Sequence, residues 1–92
     1  MEYTTDLLEI LNNIDPSLLD YQEWCNVGMA LKYEGYTAND WDYWSQRDSK
    51  RYHKNECYRK WESFTGSGVT GGTIVQYAKN QGWVPPITNQ ES

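Results

Sequence analysis

Asp20-Tyr21-Gln22-Glu23-Trp24-Cys25-Asn26-Val27-Gly28-Met29-Ala30-Leu31-Lys32-Tyr33-Glu34-Gly35 is the stretch that decides the fold. Asp20 followed three residues later by Glu23 is a variant of the capping box, in which each side chain satisfies the other's backbone N–H. Behind that cap, Tyr21, Trp24, Gly28 and Leu31 recur at i, i+3, i+7 and i+10, the spacing of one buried helical stripe. A glycine in a helix costs about 1 kcal/mol relative to alanine. The use predicted for Gly28 is the close approach of another helix. Gly35 then stops the helix after Glu34.

The same reading extends in both directions. Upstream, Thr5 can cap a first helix carrying Leu7, Leu8, Ile10 and Leu11, which Asn12-Asn13 and Asp15-Pro16 end. Downstream, Thr37 caps a third helix expected to run to about Asp48, with Trp41 and Trp44 on one face. Asp40 and Asp42 lie in its first turns and Arg47 near its end, as the helix dipole favours. His53 or Asn55 opens a fourth helix with Cys57, Trp61 and Phe64 at i, i+4, i+7, which Gly66-Ser67-Gly68 breaks. Thr70 caps a fifth, with Ile74, Tyr77 and Ala78 inward and Gly82 at its end, and Pro85-Pro86 forbids continuation. No alternation of strand length occurs. The expectation is an all-α fold of about five helices, one domain over residues 1–84, with a polar tail over 85–92. Five Trp, eight Tyr and one Phe in 92 residues mean that large flat side chains carry much of that core. Trp24, Trp44 and Trp61 are expected to be largely buried.

Charge is unevenly spread. The net −5 excludes a uniformly basic nucleic-acid binder. Residues 1–46 hold nine acids and one base, Lys32, whereas residues 47–60 hold six bases against Asp48 and Glu56. Six of the eight basic residues, and the single histidine, thus lie in one short segment. Cys25 and Cys57 are too few for a disulfide framework and are expected to be free thiols in a reducing compartment. No apolar run has the length of a membrane span, and Met1 to Asp6 lacks the basic start of a signal peptide. A cytoplasmic protein is the expectation.

Four constellations could carry chemistry. Asp40-Trp41-Asp42 is a D-x-D pair, but on a helix residues two apart diverge, so the pair reads as dipole-favoured acids rather than a metal site. Gly66 to Thr73 nearly spells a phosphate-binding loop, yet Gly72 stands where the lysine belongs and no strand precedes it. Weak anion capture at the start of the fifth helix remains open. His53 and Cys57, with Cys25, make three soft ligands where structural zinc takes four, and no cofactor or metal is expected. The run from Arg47 to Lys60 is interleaved with Tyr52 and Tyr58. Cations for phosphates beside rings for bases is the composition of a single-strand binding surface. A solvated helix face balancing an acidic domain, or a protein-partner surface, is the alternative.

Four segments in order resemble a known family: Trp24-Cys25-Asn26-Val27-Gly28-Met29-Ala30-Leu31, Trp41-Asp42-Tyr43-Trp44-Ser45, Cys57-Tyr58-Arg59-Lys60-Trp61-Glu62-Ser63-Phe64, and Thr70 to Trp83. The chain, over about residues 5 to 84, resembles the helical primase C-terminal domain of the PriCT type, found in phage, plasmid and mobile-element replication proteins. The resemblance implies a non-catalytic accessory domain that engages template DNA or couples a primase-polymerase domain to a helicase domain. The shared residues are those of core and caps, so the resemblance carries a fold more than a site. The site expected from charge is Arg47, Lys50, Arg51, Tyr52, His53, Lys54, Tyr58, Arg59 and Lys60, binding single-stranded template weakly, or a primer or nucleotide. The alternative is a spacer that docks primase to helicase through exposed aromatics.

Overall fold

The computed structural model describes residues 6–66 and 68–85, which form five α-helices and one 3₁₀ turn with no strand among the described residues. The helices are α1 (Leu7–Leu11), α2 (Tyr21–Tyr33), α3 (Ala38–Ser45), α4 (Glu56–Ser63) and α5 (Gly71–Asn80). The 3₁₀ turn is Pro16–Leu18, capped by the Asp15 side chain accepting from the Ser17 N–H; the sequence signalled this stretch only as a break. Three caps follow the sequence. Asp20 and Glu23 form the reciprocal box at α2, Thr37 and Asp40 form another at α3, and the Thr70 hydroxyl accepts from the Gly72 N–H at α5. Thr5 lies outside the described residues, as does the tail from residue 86. The cap of α1 is Asp6, whose carboxylate accepts from the Leu8 N–H.

One boundary differs from expectation. α3 ends at Ser45 because Arg47 and Asp48 donate to residues three back, tightening the last turn into a 3₁₀ pattern that does not continue. At α4 the cap position is Asn55, which stands at φ 72 in the left-handed region and makes no side-chain cap bond. Asparagine tolerates that conformation better than other non-glycine residues. Gly35 and Gly82 also have positive φ, in the turns that follow α2 and α5.

α2 is the centre of the fold. It packs against α5, which also holds α1, and against α3 and α4, which pack on each other. Val27, Ala30, Leu31, Trp41, Ile74 and Ala78 are fully buried. Trp44 and Trp61 are buried as expected, while Trp24 is partly buried. Tyr21, placed inward by the sequence, is 54% exposed at the first position of α2; the buried face runs through Cys25, Val27, Gly28, Ala30 and Leu31 instead. Around Gly28 the rings form a cluster. Trp41 stacks on Trp24 at 4.4 Å between centroids and meets Phe64 at 5.4 Å and Trp61 at 6.2 Å. A Cβ at Gly28 would stand 2.6 Å from Trp41 Cε2 and 2.9 Å from Phe64 Cε2, so the close approach is by side-chain rings. Trp44 donates its indole N–H to the Ile14 carbonyl, whereas the Trp41 indole N–H is buried with no acceptor among the described residues.

Candidate nucleic-acid interface

The basic segment leaves α3, crosses a connection over residues 46–55 and continues along α4, so its side chains do not all share one fate. Arg51 is half exposed, but its guanidinium is committed. Nε donates to Asp48 at 2.6 Å, and Nη2 donates to the carbonyls of Pro16 and Leu19. This ties the connection to the 3₁₀ turn. Arg47 donates to the Asn12 carbonyl and its side-chain oxygen, anchoring the same region to the end of α1. Lys60 lies 5.0 Å from the centre of the Tyr21 ring, and hydrogen bonding to the Tyr21 side chain raises its pKa. Lys50, Lys54 and Arg59, and with them His53, are exposed and make no side-chain bond to other described residues. Of the six bases, then, Lys50, Lys54 and Arg59 have no side-chain partner among the described residues, while Arg47, Arg51 and Lys60 have one and keep their charge.

The two tyrosines of the segment are fixed by their hydroxyls. Tyr52 donates to the buried Asp42 carboxylate at 2.8 Å, which pushes its own pKa up to about 12. Tyr58 donates to Asn39 at 3.0 Å. Asp42 also accepts from Gln46, and Asp40 is turned to its own helix cap, where it accepts from Thr37. The D-x-D pair therefore serves two different local networks. At the start of α5 the Glu34 carboxylate accepts from the Gly71 N–H at 2.8 Å. The place where the glycine-rich segment could have caught an anion is filled by the protein's own carboxylate. No group of metal-binding side chains occurs among the described residues. Cys25 and Cys57 are free and buried. Burial pushes the Cys57 thiol up to about 11 against the opposing effect of its hydrogen bond to Ser45, which also accepts from the Trp24 indole.

Two hollows flank the segment. One is a cavity of about 240 Å³ between the start of α2, the end of α3 and the start of α4, lined by Tyr21, Trp24, Tyr52 and His53 among others. The other is a more open hollow of about 420 Å³ lined by Ser17, Arg47, Ser49 and Lys50. Asp48 and Arg51 line both. The sequence did not single out Asp48, Tyr21 or Trp24 for this region. The Asp48–Arg51 spacing of three residues was a visible signal, since such neighbours meet over one turn.

No helix of the described residues is long and apolar enough to cross a membrane. Neither the curated proteins nor the solved structures include a match to this chain. The family model described as primase C terminal 2 (PriCT-2) matches residues 7–78, which takes in all five helices to within two residues of the end of α5. The all-helical order, the tryptophan cluster around Gly28 and the capped α5 all fall inside that match, and the chain belongs to the PriCT-2 family of primase-associated C-terminal domains.

Proposed function

We propose that this domain engages single-stranded template DNA for a primase or primase-helicase, as a non-catalytic accessory of phage- or plasmid-type replication. The observation that carries this reading is the contrast between the free cations Lys50, Lys54 and Arg59 and an otherwise acidic domain. Tyr58, pinned by Asn39 and 38% exposed, offers a ring beside them. Bound bases stack on such rings while cations track the phosphates. Outside residues 47–60 the chain carries eleven acids and two bases, a field that repels the rest of the strand. Binding by the isolated domain is therefore weak and confined to low salt, and neighbouring domains supply avidity.

The test is a pair of charge reversals, read by fluorescence anisotropy with a labelled single strand. Lys54→Glu with Arg59→Glu sharply weakens binding without unfolding the chain, because neither side chain has a partner among the described residues. Lys79→Glu, an exposed base on α5, changes affinity little. Equal affinities for the two variants would sink the template reading. A second reading, a spacer docking the primase to the helicase, rests on the exposed rings of Tyr33 and Tyr43, 61% and 73% accessible. It takes over if no strand binds.

A further inference from the structure

The two hollows share a wall, and their linings differ in kind. Tyr21, Trp24, Tyr52 and His53 give the 240 Å³ cavity flat, largely apolar surfaces. Small-molecule sites pair such surfaces with a few polar groups that fix orientation. Here Asp48 is 8% exposed and uses one carboxylate oxygen for Arg51, leaving the other without a hydrogen bond among the described residues. Glu56 adds a second acceptor to the lining. On the other side of the Asp48–Arg51 pair, Arg47, Lys50, Ser17 and Ser49 form a polar hollow with two further cations. A flat apolar slot with acceptors, joined to a cationic hollow, matches a ligand that is flat at one end and anionic at the other. A nucleotide has that form, and each base carries at least one N–H donor on its pairing edge.

We propose that the paired hollows hold a single nucleotide, its base in the aromatic cavity and its phosphate in the hollow of Arg47 and Lys50. This deepens the template reading and rests on it: the nucleotide is one residue of the bound strand, with its base turned out of the stack. Flipping a base is least costly when the substrate is already single-stranded. The cavity therefore makes the domain prefer single strands to duplex, beyond what charge alone provides. The Tyr52–Asp42 bond and the Trp24–Ser45 bond hold two of the lining rings in place before a base arrives.

The experiment compares a short single-stranded DNA with the same backbone made of abasic residues, titrated into the full 92-residue chain near 20 mM salt, where the Debye length is about 20 Å. Base–aromatic stacking is worth about 1–3 kcal/mol per base, so the intact strand binds about 5- to 150-fold more tightly than the abasic one. Tyr21→Ala, at an exposed ring, narrows that difference. Lys54→Glu with Arg59→Glu instead weakens both probes together. A second readout needs no variant of the site. The Trp24 indole N–H resonance, assigned by its loss in Trp24→Phe, shifts with the intact strand and not with the abasic one. A nucleoside monophosphate that shifts the same resonance and competes with the strand supports the same two hollows, with a free nucleotide as the source. Equal binding of intact and abasic strands, with Trp24 unmoved, overturns the cavity and leaves the cationic track standing. Failure to bind either probe overturns both.

Discussion

Gly28 is where one atom decides the most. Helix propensity favours alanine there by about 1 kcal/mol. The added Cβ, however, would press into rigid rings, Trp41 at 2.6 Å and Phe64 at 2.9 Å, neither of which has a flexible end to yield. Overpacking of that kind costs about 1–3 kcal/mol. Gly28→Ala is therefore expected to lower the urea midpoint, and a rise would show that the ring cluster is looser than described. Cys57 makes a second point at this scale. Its thiol, raised to about 11 by burial, is almost wholly protonated at neutral pH. Thiol reagents at pH 7 should label neither cysteine until the chain unfolds, and rapid labelling of the native protein would contradict the burial of both. Tyr52 gives a pH dependence. Its folded pKa of about 12 exceeds the ordinary 10, chiefly through its bond to Asp42. A raised pKa stabilises the fold below pH 10, and that contribution is lost as pH climbs from 10 towards 12. Tyr52→Phe should flatten this part of an alkaline unfolding profile.

At the scale of elements, two helix ends are closed by side chains from α2 or its cap residue. Lys32 donates to the carbonyls of Trp61 and Phe64, at 2.6 and 2.9 Å, and so finishes α4. Glu34 accepts from the first N–H of α5. Hydrogen bonds to charged groups contribute about 1.5–3 kcal/mol. Lys32→Met should cost stability of that order while leaving DNA affinity unchanged; a loss of affinity in a folded Lys32→Met chain would place Lys32 on the binding surface instead. These ties explain what the sequence could and could not disclose. The caps Asp20, Thr37 and Thr70 were legible because the cap and its partner lie within three residues. Lys32 and Glu34 reach across 29 and 37 residues or so, and no local pattern announces such partners. For the same reason the basic segment read as six equivalent cations. Arg47 and Arg51 bond to residues more than thirty positions upstream, which only the packed chain brings near. Tyr21 was misplaced because it continues the periodic stripe at the first turn of α2, where that stripe runs past the end of the core.

For the whole molecule the governing fact is an acidic domain with one cationic strip. In the template binding proposed above, the strip would act by releasing counterions from the strand, and each phosphate neutralised adds about 0.7 to the magnitude of the log–log salt slope for single strands. Lys50, Lys54 and Arg59 are the bases of the strip with no side-chain partner among the described residues, which sets the expected slope near −2. Arg47, beside Lys50 in the open hollow, could extend it only towards about −3. The most direct measurement is therefore the affinity of the purified chain for a single strand over a series of salt concentrations starting near 20 mM. The account predicts weak binding with a slope of roughly −2 to −3, falling in magnitude by about 0.7 for each of Lys50, Lys54 and Arg59 replaced by a neutral residue. A slope that stays the same when those three are neutralised, or no binding at the lowest salt, would contradict it.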